Sequence, residues 1–189
     1  MITKIGKLCD NCTFLLNLWH KKKQKPITLN AEITACFTGH RTYDGSRNDE
    51  LRTAICRLYS MGYRYFLCGM AMGFDLEAAE MVISLKNRLP LSEVIAVVPF
   101  KGMEERFPAE QRARYQRVIA EAEEVITLAT HYSPGVYTQR NNFMVKNSSA
   151  VITYFTGEKG GTAYTIHQAV NHLCYIQNIY NNPQQEFAF

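Results

Sequence analysis

Phe66-Leu67-Cys68-Gly69-Met70-Ala71-Met72-Gly73-Phe74-Asp75-Leu76-Glu77-Ala78 takes the chain from strand to helix with almost no linker. An apolar run, Tyr65–Cys68, meets a turn containing Gly69 and Gly73, and an amphipathic helical pattern starts at once. Glycine tolerates positive φ and, having no Cβ, lets another molecule approach the backbone. The helix that follows leaves its first N–H groups unpaired and carries partial positive charge at that end. Such a junction is a ready phosphate site. The same residues also have a purely structural use, in which Gly69 and Gly73 shape a turn and Asp75 caps the helix.

Outward from this junction the pattern alternates. Strands are expected at residues 33–38, 65–68, 93–98, 124–128, 150–155 and 175–180. Helices are expected at 48–61, 75–88, 103–121, 138–147 and 162–172. Asn48 or Ser46 is placed to cap the first helix, and Phe107, Tyr115, Val118 and Ile119 form the inner stripe of the third. Strands each followed by a helix require right-handed βαβ crossovers. The expected fold class is α/β, a Rossmann-like parallel sheet with helices on both faces. In such sheets ligands bind beyond the carboxyl ends of the strands.

The chain has 189 residues, enough for one domain with a full core. Its net charge of +4 is unevenly placed. Residues 1–31 hold six lysines and one acid, for +5, and the remainder carries −1. A neutral domain gives no compositional argument for nucleic-acid binding, and lysines 21–25 read as a solvated tail. The organisation expected is a basic extension over 1–30, one domain over 31–180 and a polar tail over 181–189. No apolar run approaches the roughly 18 residues that cross a membrane, and the short apolar piece at 14–19 precedes its lysines, unlike a signal peptide. A cytoplasmic protein with no membrane partner is expected.

Cys36, Cys56, Cys68 and Cys174 sit in apolar runs and read as reduced core residues. Cys9 and Cys12 form half of a zinc site, with His20 as a possible third ligand, but no second pair follows at a suitable spacing. No metal and no cofactor are expected.

Four loops at the expected ligand edge carry chemistry. After the first strand, Gly39 permits a tight turn between Thr38 and His40-Arg41, and Arg41 suits bidentate phosphate recognition. The second loop brings Gly69, Met70, Ala71, Gly73 and Asp75, whose carboxylate suits a ribose hydroxyl. Pro99 and Phe100 end the third strand and offer either an apolar wall for a base or core packing. Around the fifth strand lie Arg140-Asn141 and Gly160-Gly161-Thr162. Arg140 falls near a helix start, where a cation needs an anionic companion. The Gly160-Gly161-Thr162 turn repeats the phosphate-cradle logic. Neither glycine loop has Gly-x-Gly-x-x-Gly spacing or a Gly-Lys-Ser/Thr ending, which argues against NAD in its usual mode and against a P-loop.

Taken in order, these pieces resemble the SLOG superfamily, most closely its YpsA-like branch, over about residues 32–172. Thr38-Gly39-His40-Arg41 resembles that branch's first-loop motif, and residues 69–75 its second. Pro99-Phe100, the Phe107/Gln111/Tyr115 helix, and Arg140-Asn141 with Met144 fit as well. The resemblance implies a Rossmann-like domain that binds nucleotides or nucleotide-derived ligands, and it implies self-association as a homodimer.

Two relatives within the superfamily extend the reading differently. The second loop resembles that of DNA-processing protein A, which binds single-stranded DNA. Residues 139–165 resemble the Lonely-guy phosphoribohydrolases, which cleave the N-glycosidic bond of nucleoside 5′-monophosphates. Arg140 matches that family's arginine and Gly161-Thr162 its Gly-Thr pair, but Thr165 stands at the glutamate position, and Thr156-Gly157-Glu158 replaces Pro-Gly-Gly. The sequence therefore favours binding of a nucleotide-derived ligand. A phosphoribohydrolase would need Asp75, Glu77 or Glu158 as its carboxylate, since oxocarbenium-like chemistry requires a nearby anion. Single-stranded DNA binding comes third.

Overall fold

The computed structural model describes residues 27–180. The expectations for the extension up to residue 26, including Cys9, Cys12, His20 and lysines 21–25, and for the tail over 181–189 lie outside the described residues.

Six parallel strands form one sheet: β1 (Thr34–Gly39), β2 (Tyr65–Cys68), β3 (Glu93–Phe100), β4 (Glu124–Ala129), β5 (Ala150–Tyr154) and β6 (Tyr175–Asn178). Their spatial order is β4-β3-β2-β1-β5-β6. Five helices connect them: α1 (Asn48–Ser60), α2 (Phe74–Ser84), α3 (Ala109–Glu121), α4 (Val136–Lys146) and α5 (Gly161–Asn171). Among the described residues no helix is long and apolar enough to cross a membrane.

Strand side chains alternate between two buried layers, because successive residues point to opposite faces. Ala35, Phe37, Phe66, Cys68, Val94 and Ile152 pack with Leu51, Ile55 and Leu58 of α1, Phe74 and Leu76 of α2, and Val118 of α3. Cys36, Leu67, Ile95, Val97 and Val151 face the other way, against Met144 and Val145 of α4 and Ile166 and Ala169 of α5. Burial on both faces explains why the central strands read as nearly continuous apolar runs. This is the α/β Rossmann-like architecture expected from the spacing.

The boundaries depart from expectation where local chemistry intervenes. The stretch expected as one helix over 103–121 is a 3-10 turn at Met103–Arg106, an extended Phe107 (φ −81°, ψ 146°) and then α3. Pro108 causes the break, since it lacks an N–H and disfavours helical geometry at the residue before it. β3 continues through Pro99 and Phe100, and α2 ends at Ser84. The capping expected of Asn48 or Ser46 is corrected: Arg47 occupies the cap position, with no side-chain cap bond. Asn48 instead reaches across the structure. Its Nδ2 donates to Glu77 Oε1 at 2.7 Å, and its Oδ1 accepts from the Tyr43 hydroxyl at 2.9 Å.

The chain steps outward from β1 to β4, then crosses back to place β5 and β6 on the other side. The sheet therefore reverses its winding between β1 and β5, where Ala35 lies beside Ala150 and Gly39 beside Tyr154. Loops leaving these two strands diverge to opposite faces and open a crevice at their carboxyl ends.

Candidate functional site

A cavity of about 340 Å³ lies at that crevice. Thr38, Gly39, His40 and Arg41 line it from the first loop, Ala71 and Asp75 from the second, Arg140 and Asn141 from α4, and Gly161 and Thr162 from the start of α5. Four separate stretches of the sequence-derived site therefore converge. Gly69, Met70, Gly73 and Gly160 are not among the lining residues, and neither are Pro99 and Phe100. Phe100 is buried in the core, its ring 5.6 Å from Tyr132 and 5.9 Å from Tyr137. Of its two readings, core packing is the one observed.

Tyr137 and Met144 complete the wall. Tyr137, Arg140, Asn141 and Met144 follow helical i, i+3, i+4 and i+7 spacing, which puts them on one face of α4. That periodicity was the available signal for Tyr137, which the loop-centred reading omits.

The centre of the site is a buried ion pair. Arg140 and Asp75 are 7% and 5% exposed, and Arg140 Nη1 stands 3.3 Å from Asp75 Oδ2. The same Nη1 donates to the Gly69 carbonyl. Asp75 Oδ2 also accepts from the Ala71 N–H at 3.4 Å. Burial pushes the Asp75 carboxyl above its ordinary range, opposed by the Arg140 charge, the Ala71 N–H and the Arg41 charge. Asp75 thus reaches back into its own loop, and the cap position of α2 belongs to Gly73. A Cβ on Gly69 would stand 2.6 Å from Arg140 Cζ and 2.8 Å from Asp75 Oδ2, so glycine is required there for close approach. Arg140 Nε is buried with no hydrogen-bond partner, an arrangement that costs about 1–3 kcal/mol.

His40 ties the first loop to its neighbours. Its Nε2 accepts from the Thr156 N–H at 3.1 Å, which places the proton of the neutral ring on Nδ1. Its carbonyl accepts from the N–H groups of Tyr43 and Phe74, both at 3.2 Å. Arg41 is exposed, its Cζ 5.8 Å from the Tyr137 ring centre. Opposite, α5 begins at Gly161, and its first-turn N–H groups stand outside the intrahelical ladder. The combination is two guanidinium groups, a helix N-terminus, one aromatic ring and one carboxylate, which suits an anion carrying a ring and hydroxyls.

The other two candidate carboxylates lie outside the cavity lining. Glu77 accepts from Asn48 and, at 2.5 Å, from Arg114 Nη2. Glu158 is exposed in the loop after β5 and does not line the cavity. Among the described residues no group of three or more His, Cys, Asp or Glu could hold a metal.

A wider hollow, about 540 Å³, lies at the amino end of the sheet between Ile33, Arg64, Tyr65 and Leu91. Arg64 Nη1 already donates to the carbonyls of Tyr59 and Tyr63, and Glu93 is paired with Lys86 at 2.8 Å. It also lies at the wrong end of the strands for an α/β ligand site, so the crevice at β1 and β5 is the better candidate.

The model of the YspA SLOG family matches residues 48–182. A UPF0398 protein of Bacillus pumilus is 26% identical over 129 residues, spanning 67% of this chain and 69% of that protein. The SPbeta prophage-derived protein YoqJ of Bacillus subtilis is 28% identical over 134 residues, 64% of this chain and 78% of that one. Among solved structures, DNA processing protein A of Helicobacter pylori, described by its single-stranded DNA binding mode, superposes with a TM-score of 0.57 at 19% identity. The match covers 77% of this chain and 64% of that one, under two thirds of its length, and speaks for the fold alone.

Proposed function

The chain belongs to the YspA SLOG family, and we propose that it binds a nucleotide or nucleotide-derived small ligand at the crevice between β1 and β5, as a binding or sensing protein. The observation that carries this reading is the buried Arg140, with its unpartnered Nε, set beside exposed Arg41 and the start of α5 around one cavity. A phosphate between Arg41, Arg140 and the Gly161-Thr162 turn would offset this positive charge. Asp75 accepts a ribose hydroxyl, and Tyr137 offers a ring to the base.

Binding is preferred to cleavage because Asp75, the acid lining the cavity, is already engaged by Arg140 and the Ala71 N–H. Binding of single-stranded DNA, the property in the Helicobacter protein's description, is ranked lower because the chain beyond residue 31 is close to neutral.

The test is a thermal-shift screen against nucleoside monophosphates, dinucleotides and ADP-ribose-like compounds. Ligand in excess raises Tm according to its affinity for the folded state. The expected result is a shift that falls away in Arg41→Ala, whose exposed side chain can be removed without disturbing the core. No shift with any compound sinks the reading. Turnover of a bound hit that depends on Asp75 would replace binding with N-glycosidase activity.

A further inference from the structure

From Tyr137 in the cavity wall, a ladder of rings and cations leads outward beyond the lining. Arg41 stands 5.8 Å from the centre of Tyr137. The Tyr137 ring is 6.4 Å from Tyr132, and Arg106 Cζ lies 6.0 Å from the centre of that second ring. Phe100 packs beneath both tyrosines, edge-on to each, and so fixes their spacing. Tyr137 is half-buried at the cavity wall, whereas Tyr132 is 55% exposed. Lys101 and His131 are exposed on the adjoining loops, and the acids Glu104 and Glu105 precede Arg106 in its short turn.

The geometry points to a ligand with two aromatic bases joined through phosphate, a dinucleotide, whose first nucleotide fills the cavity and whose second base stacks on Tyr132 with Arg106 beside it. This rests on the nucleotide-binding reading above and names the class of ligand. The planes of the two tyrosine rings are tilted by 55°, so a stacked pair of parallel bases cannot lie on both, and each ring takes one base. Aromatic platforms alternating with cations are how proteins hold bases without reading their sequence. A second ring beside Tyr137, outside the cavity lining, has no use for a mononucleotide.

The experiment is calorimetric titration of the full chain with four nucleoside 5′-monophosphates, the matching 5′-phosphorylated dinucleotides, NAD and a 12-residue single strand. The expected result is a dinucleotide or NAD bound about 5- to 100-fold more tightly than the better of its component mononucleotides, the factor one stacked base supplies. Tyr132→Ala is expected to erase that factor and leave mononucleotide affinity unchanged. Tyr132→Phe keeps the ring and is expected to keep the factor. Mononucleotide binding with no dinucleotide advantage, or with an advantage that survives Tyr132→Ala, overturns this inference alone. No binding by any of these ligands overturns both readings. A strand bound more than about tenfold more tightly than its own dinucleotide, beyond what a single stacked base supplies, overturns the free dinucleotide as the occupant.

Discussion

Arg140 and Asp75, 65 residues apart in the chain, meet 3.3 Å apart in the lining of the cavity. One comes from the helix before β5 and the other from the helix after β2, so the contact locks the two halves of the sheet together at their ligand edge. Removing one member of a buried pair leaves the other charge unpaired and costs about 3–5 kcal/mol. Arg140→Ala is therefore expected to lose that much stability in urea unfolding near neutral pH, with part of it recovered in Arg140→Ala/Asp75→Asn. A single-variant cost below about 1 kcal/mol would remove the pair from any structural role.

The same carboxylate gives a pH signature. Burial, set against Arg140, holds Asp75 above its ordinary 3.8. The folded state then keeps the proton where the unfolded chain has lost it, so stability rises as pH falls from the folded pKa towards 3.8 and declines as pH rises through it. Asp75→Asn does not titrate. Wild type is expected to gain stability relative to Asp75→Asn as pH is lowered from about 7 to about 4. A relative loss on acidification would mean that Arg140 outweighs burial.

Two glycines separate crowding from backbone strain. A Cβ on Gly39 would stand 2.5 Å from the buried Phe74 ring, whereas Gly157 has φ +97° and nothing within 4 Å of its Cβ position. Gly39→Ala is expected to cost about 1–3 kcal/mol by overpacking, and to weaken ligand binding because Phe74 carries the second loop. Gly157→Ala is expected to cost about 1 kcal/mol from backbone conformation alone and to spare Tm shifts on ligand addition. Chemical denaturation with and without ligand distinguishes them, and equal effects on binding would refute the distinction.

Arg114 bridges Glu77 and Glu80, each at 2.5 Å, away from the cavity. Arg114→Ala and Glu77→Gln are expected to lower stability by about 1 kcal/mol and leave ligand affinity untouched. A collapse of binding or turnover in Glu77→Gln would return that carboxylate to the candidate chemistry.

Much of the fold was legible because each buried strand is a short apolar run bounded by turn residues, and Tyr65–Cys68 is found at its expected bounds. Pro108 was equally legible as a break, but the charged pattern on either side masked it. The site is different in kind. Asp75, Arg140, Arg41 and Gly161 could each be singled out from local pattern, but which side chain meets which across the sheet depends on strand order, and no periodicity encodes that. Hence Asp75, which reads as a cap or as a partner for a ribose hydroxyl, proves to be paired with Arg140, while Phe100, which reads as a wall or as core packing, packs in the core against Tyr132 and Tyr137.

The pairing of β1 with β5 sets Ala35 against Ala150, so the centre of the sheet is a join between early and late parts of the chain. Such distant contacts form slowly, because loop entropy is spent before they reward it. During synthesis β1 can pair with β2 well before β5 has left the ribosome. The crevice straddles this late seam, so the pocket is among the last features to assemble.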